Sequence, residues 1–340
     1  MRKLLVVRLA AVALILGCAS PASAQTFEVV GIRAQGMGSA FVAVADDATA
    51  TWWNPAGLAT GKLFSLVGEH GEIANPAEPP DEGPALRNSV TGFSVAFPAL
   101  AVSYYRLRIS EIAPVFSTDP DSPDREDPGT GEVRLRSLAI TQYGTTIGES
   151  LGSHFVIGST LKILSAGVAV SSAPVGGDLL DRADDLDPDG DTETDLDIGA
   201  MAAFGRLRLG VTVKHVTTPA FGDGADRFEF KRQARAGVAL MTQGFGAVQA
   251  LTLAADMDLT RTETVNGDIS HFATGLEMWF ANRHLGLRSG FSLDTIGETT
   301  PTGSVGISVG GPSGLLLDAA YLFGSDEARK GLNIGVSMTF

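Results

Sequence analysis

The chain has 340 residues, with 39 acidic against 25 basic side chains and a formal net charge of −14. So acidic a surface repels phosphate backbones, which excludes nucleic acid as a partner. After the first two dozen residues no stretch offers the roughly 18 uninterrupted apolar residues of a spanning helix. The apolar fraction is nonetheless an ordinary 44% and glycine is frequent at 41 residues, so a membrane role would require a closed sheet, which satisfies its backbone groups internally.

Residues 1–24 read as a secretory signal peptide. Arg2 and Lys3 precede an apolar run from Leu4 to Leu16 that only Arg8 interrupts, and Ala22-Ser23-Ala24 supplies a small-x-small cleavage site before Gln25. Ile15-Leu16-Gly17-Cys18 also resembles a lipobox, so lipidation of Cys18 is the rival reading. With the leader removed, the only cysteine leaves and no disulfide or thiol site remains. Loss of Arg2, Lys3 and Arg8 makes the remaining chain three units more negative.

Residues 25–62 do not alternate. Small residues dominate from Gly31 through Gly36, Gly38 and Ala48, followed by Trp52-Trp53-Asn54-Pro55-Ala56-Gly57-Leu58. Asp46 or Asp47 is placed to cap a short helix running through Thr51, and Asn54-Pro55 is placed to stop it, because the residue before proline avoids the helical region. A compact segment of this kind fits inside a barrel.

Residues 63–340 carry period-two alternation, the mark of strands with one apolar and one polar face. Fourteen strands are expected, at 63–70, 88–97, 100–108, 132–146, 153–168, 195–205, 206–217, 227–241, 247–260, 268–280, 284–295, 301–310, 313–323 and 330–340. In the last, Leu332, Ile334, Val336, Met338 and Phe340 alternate with Gly331, Asn333, Gly335, Ser337 and Thr339. A water-soluble sandwich would show the same alternation with the apolar face as core. Loop lengths separate the two. Short connections at Pro98-Ala99, Gly205, 281–283 and Gly311-Pro312 alternate with long ones at 71–87, 109–131 and 169–194, as periplasmic turns alternate with outer loops in bacterial barrels. The fold class expected is therefore all-β, a transmembrane antiparallel β-barrel of about 14 strands with an N-terminal plug, in a bacterial outer membrane and surrounded by its lipids.

The long connections hold the acid. One carries Asp119, Asp121, Asp124, Glu126 and Asp127. Another contains Asp185, Asp187, Asp189 and Gly190, which match the first half of a calcium loop, with Asp191, Glu193 and Asp195 as further oxygens. Leu196 stands where that loop needs a glutamate, so a solvated acidic loop is the alternative to a Ca²⁺ site. Apart from this ion no cofactor is expected. Lys162, Arg208, Lys214, Asp256, Asp258, Glu277, Arg288 and Asp318 fall on inward positions; they would form either a selective lumen or, more simply, ion pairs joining wall and plug. His70, His154, His215, His271 and His284 show no paired-ligand spacing, and Ser270-His271 face opposite ways on a strand, so no catalytic residue is assigned and the chain is read as a non-enzyme.

The run from Arg33 to Ala59, above all Gly36-Met37-Gly38 through Asp46-Asp47-Ala48 and Asn54-Pro55-Ala56-Gly57-Leu58, resembles the N-terminal hatch of FadL-type outer-membrane transporters of hydrophobic compounds, and most of all their PorV/PorQ-like branch. The resemblance implies a fourteen-stranded barrel over 63–340 plugged by 25–62. Gly36, Gly38, Asp46, Asp47, Trp52, Trp53, Asn54, Pro55 and Gly57 would then form the hatch or ligand gate. It further implies uptake of a hydrophobic ligand that leaves sideways into the membrane or, for the PorV-like branch, a non-enzymatic partner of a secretion system or of surface display. The terminal Phe340 resembles the signal that such barrels present to the barrel assembly machinery.

Overall fold

In the computed structural model the described residues are 30–60, 63–75, 85–114, 132–222, 227–264, 267–296, 301–311, 314–324 and 330–340. The leader 1–24 with Cys18 and the acidic run Asp119–Asp127 lie outside them. The alternating segments form one closed barrel of fourteen strands: β1 (Ser65–Asn75), β2 (Ala85–Phe97), β3 (Leu100–Pro114), β4 (Glu132–Leu151), β5 (Phe155–Pro174), β6 (Asp191–Phe204), β7 (Leu207–Lys214), β8 (Gln233–Gln243), β9 (Ala250–Asp258), β10 (His271–Phe280), β11 (Leu285–Asp294), β12 (Thr302–Gly310), β13 (Leu315–Gly324) and β14 (Lys330–Thr339). Each long strand pairs antiparallel with its neighbours in sequence, and β1 closes the ring against β14 with Ser65 opposite Thr339.

The alternation resolves in favour of lipid outside. On β14, Leu332 and Ile334 are 58% and 55% exposed, whereas Asn333 between them is 1% exposed. On β5, Leu161 and Ile163 face out and Lys162 is fully buried. A soluble barrel would show the reverse. Aromatic pairs edge the apolar belt: Phe64 packs against Phe97 and Phe340 at one rim, and Tyr104 against Tyr143 higher on the wall. The short turns, Ser65 and Thr339 share one end, which is periplasmic by the length rule. The barrel belongs to a bacterial outer membrane.

Several boundaries differ from the expectation: β1, β3 and β4 run on to Asn75, Pro114 and Leu151, β2 starts at Ala85, and β8 starts only at Gln233. β6 begins at Asp191 rather than 195, because its acidic start pairs with β5: Asp195 lies opposite Lys162. β5 runs on to Pro174. β7 stops at Lys214, because His215 adopts φ 54 and the chain turns away toward Pro219, which offers no ladder donor.

The connection from β5 to β6 folds back over the outside of the wall. The β3–β4 ladder runs unbroken from Leu100 opposite Ile147 to Pro114 opposite Val133. Val133 and Leu135 therefore share the outward face of Tyr143 and Ile147, yet they are buried. Helix α1 (Leu179–Asp184) covers them with Leu179 and Ala183, joined by Ile112 and Ala173. Arg87 on β2 grips this helix through Asp181 at 2.6 Å and Asp184 at 2.7 Å, and Ser110 donates to Asp184. The hydrogen bond from Arg87 holds the Asp181 carboxyl below the usual carboxylate range. The acidic stretch is thus partly a collar strapped to the wall above the lipid belt.

Residues 30–60 occupy the lumen. A short helix over Ile32–Gly36 packs on β11 to β14, a second over Ala50–Trp53 on β3 and β4, and a 3₁₀ turn over Pro55–Thr60 on β4 to β6. A segment that meets the wall on such opposed sides must lie inside the ring.

Candidate functional site

The nine residues expected to form a gate come together in this inner segment, and all but half-buried Asp46 are buried. The local helix is shorter than expected. It starts at Ala50 with Thr49 as its cap residue, and Asp47 acts one turn earlier by accepting from the Thr49 N–H at 2.9 Å. Asn54 is extended, with φ −161 and ψ 106, and ends the helix as its proline neighbour requires. Its amide donates to Val42 O at 2.9 Å and to Ala200 O of β6 at 3.3 Å, while its carbonyl accepts from the Ala56 N–H. Trp53 donates to Val30 O and packs edge-on to Phe41. Trp52 lies against Tyr105, with the Lys214 ammonium 3.3 Å from its ring centroid.

The wall meets this segment through glycine. A Cβ on Gly158 would lie 2.4 Å from Pro55, on Gly210 2.6 Å from Val42 O, on Gly275 2.4 Å from Met37 O and on Gly290 1.9 Å from the Gly38 nitrogen. Gly38 needs glycine twice over: its φ is +66, and a Cβ there would lie 2.6 Å from the Phe291 nitrogen. Glycines of β5, β7, β10 and β11 thus form a socket whose depth is set by the missing side chains.

Charged wall residues complete the socket. Glu69 of β1 accepts from the N–H groups of Gly31 and Ile32 at 2.8 and 3.0 Å. Asp256 of β9 accepts from Phe41 and Val42 at 2.7 and 2.8 Å. Arg33 forms a fork with Glu277 of β10 at 2.7 and 2.8 Å and reaches Asp46 and Asp47. Glu277 also holds Arg288 of β11 at 2.8 Å, which donates to Ser308, itself bonded to Asp318. Six of the eight inward charges are buried, and this chain of ion pairs joins wall to inner segment, the simpler of the two expectations. Asp258 pairs instead with Arg235, and half-buried Arg208 lies apart from these pairs.

A second charged cluster sits where β7 breaks off. Lys162 lies 2.7 Å from Asp195 and 2.6 Å from Asp197, and His215 lies 2.7 Å from Asp195. Among the described residues, Asp195, Asp197 and His215 are the acidic and imidazole groups close enough to share an ion. The Lys162 ammonium already stands among them as the cation. Of the residues named for a calcium loop, Asp195 therefore turns into the lumen, Asp185, Asp187 and Asp189 lie exposed between α1 and β6, and Asp191 and Glu193 sit exposed at the start of β6. Asp191 accepts from the Gly222 N–H at 2.7 Å. Above the cluster, Phe221, Phe228 and Phe230 of the connection 215–232 stack inward, with Phe230 against His215. They share one apolar cluster with Leu107, Ile140 and Leu164 of the wall.

Sequence reasoning missed Glu69, Arg33, Asp197 and His215 as anchors. Asp195-x-Asp197 on one strand face opposite Lys162 was the available signal; Glu69 left none without the ring's topology. Phe340 receives the Phe64 backbone and donates to it at 2.9 Å, so the chain end is stitched to the barrel's first residues.

Solved structures similar to this one include the CymD monoaromatic hydrocarbon channel, at 12% identity and TM-score 0.62 over 93% of this chain and 99% of that one. The Pseudomonas putida toluene transporter TodX is similar at 10% identity and TM-score 0.62, over 93% and 99%. A Pseudomonas aeruginosa FadL homologue is similar at 12% and 0.54, over 95% and 99%. These likenesses show the FadL-type fold. No curated protein matches the chain. Residues 83–258, just over half the chain, match the family described as "F plasmid transfer operon, TraF, protein", and the chain belongs to that family.

Proposed function

We propose that this barrel admits hydrophobic small molecules across the outer membrane, with residues 30–60 as its hatch. One observation carries the reading: the lumen is filled by a separate segment held through side-chain hydrogen bonds, ion pairs and glycine contacts, none of which belongs to the wall's own strand pairing. The hatch tip, Asn54, is bonded to Ala200 of β6, beside the β6–β7 seam whose regular pairing ends at Ile198 opposite Val213. Phe221, Phe228 and Phe230 on the outer side offer an aromatic floor for a neutral, apolar solute. The similar channels are named for monoaromatic hydrocarbons and toluene, which fits a floor without a free charge better than a fatty carboxylate would. The roles of Trp52, Trp53 and Pro55 are then to wedge the hatch, and those of Gly36, Gly38 and Gly57 to let it seat.

A covalent lock tests this. A Cβ on Gly148 would lie 3.5 Å from the Leu58 Cβ, within the range for a disulfide. Toluene uptake by cells carrying Leu58→Cys with Gly148→Cys should fall when oxidised and return on reduction. Equal uptake in both states removes the hatch reading. A sealed lumen also supports the PorV/PorQ-like alternative, a non-enzymatic partner in secretion or surface display. That alternative requires copurifying envelope protein and no toluene uptake in either redox state.

A further inference from the structure

A cavity of about 490 Å³ opens at the periplasmic end, between the inner segment and strands β10 to β14. It lies away from the aromatic floor and from Asn54. One side is apolar, with Ile32, Val67 and Leu316. The charges deeper in are already matched: Arg33 to Asp46, Asp47 and Glu277, and Arg288 to Glu277. At the mouth stands Arg283, which has no ion pair among the described residues.

The position of Arg283 is built, not incidental. Ala281, Asn282 and Arg283 take φ 50, 55 and 64, three successive non-glycine residues in the left-handed region. The neighbouring turn pins them: Gln249 accepts from the Arg283 N–H at 3.0 Å and donates to Asn282 at 2.8 Å. This conformation brings the guanidinium back over Trp279, 5.2 Å from the ring centroid, with Arg288 at 5.3 Å. Trp279 is buried, and its indole N–H finds no acceptor among the described residues. A cation without an ion pair and an indole donor without an acceptor therefore lie together at the mouth of the cavity, in a chain of net charge −14.

We propose that this cavity binds a small monocarboxylate with an apolar or aromatic body, its carboxylate on Arg283 and the Trp279 N–H, its body against Val67 and Leu316. The site stands whether or not the barrel transports toluene. The test titrates the purified full barrel in phosphatidylcholine nanodiscs with 4-ethylbenzoate and with its neutral isostere 4-ethylbenzamide, following the three tryptophan indole N–H resonances. The benzoate should bind saturably and shift the Trp279 resonance while those of Trp52 and Trp53 stay. The benzamide should bind about tenfold or more weaker, as should Arg283→Gln toward the benzoate, matching the loss of a charge-assisted hydrogen bond. Arg283→Lys should recover part of the affinity. Equal affinity for acid and amide, an unchanged Arg283→Gln, or no saturable shift of Trp279 overturns the proposal. Toluene uptake by Arg283→Gln cells, expected to match wild type, reads the transport proposal separately.

Discussion

Glu277 is the joint through which the inner segment's Arg33 reaches the wall. Its carboxylate receives Arg33 at 2.7 and 2.8 Å and Arg288 at 2.8 Å. The side chains of Glu277 and Arg288 are each 1% exposed and that of Arg33 is 15% exposed. Breaking a buried ion pair by removing one partner costs about 3–5 kcal/mol, because the surviving charge stays desolvated. Arg33 keeps Asp46 at 2.6 Å and Asp47 at 3.1 Å, and Arg288 keeps Ser308 at 2.7 Å. Glu277→Ala therefore belongs at the low end, about 3 kcal/mol, which is about a hundredfold in the equilibrium for undocking. Hydrogen exchange reads it directly. The amides of Gln35, Met37, Gly38 and Ser39 are bonded within the segment and should exchange about a hundredfold faster, while β5 amides keep their rates. Arg33→Met with Glu277→Met, which removes both charges, should undo much of the effect. A change under about threefold in Glu277→Ala would mean that the fork contributes less than about 0.7 kcal/mol to docking, and the reading of Glu277 as an anchor would be wrong.

Other outcomes follow from the same geometry. Gly38→Ala adds a left-handed penalty of about 1–2 kcal/mol and about 1–3 kcal/mol of overpacking against Phe291, so segment exchange should accelerate with the wall intact; wild-type exchange would deny the socket its tight fit. Lys162→Met leaves Asp195 and Asp197 buried without their cation, at a cost of about 3–5 kcal/mol, and should lower the thermal midpoint; adding Asp195→Asn and Asp197→Asn should restore part of it. Because Arg87 depresses the Asp181 carboxyl, the collar's grip is fully present above the ordinary aspartate range and is lost as pH falls through the lowered value. Proteolysis between 175 and 190 should stay constant from pH 7 to about 5 and rise only below about 4; a rise near pH 6 would place control elsewhere.

The wall was legible because lipid and lumen impose a strict two-residue period, and Leu332-Asn333-Ile334 obey it without exception. What misled was acid content. Asp191 to Thr194 read as loop, yet the match of Asp195 to Lys162 across the ladder carries strand β6 back through them. The inner segment announced itself by its small residues, but its anchors Glu69, Asp256 and Glu277 stand far from it in sequence, so only ring closure reveals them. The collar was hidden for a different reason: Val133 and Leu135 look lipid-facing by period alone, and nothing local says that a helix covers them.

The glycine socket has a consequence for the integrity of the ring. Wall positions 158, 210, 275 and 290 contribute no side chain to the lumen, so a ring closed without the inner segment would enclose a void with neither packing nor hydrogen bonds to fill it. The same segment bridges the seam that joins the first strand to the last: Gly31 and Ile32 bond to Glu69 of β1, and Ile32 meets Gly335 of β14. Docking of residues 30–60 therefore reinforces the β1–β14 seam, and a barrel that lacks this segment should show its first loss of protection there.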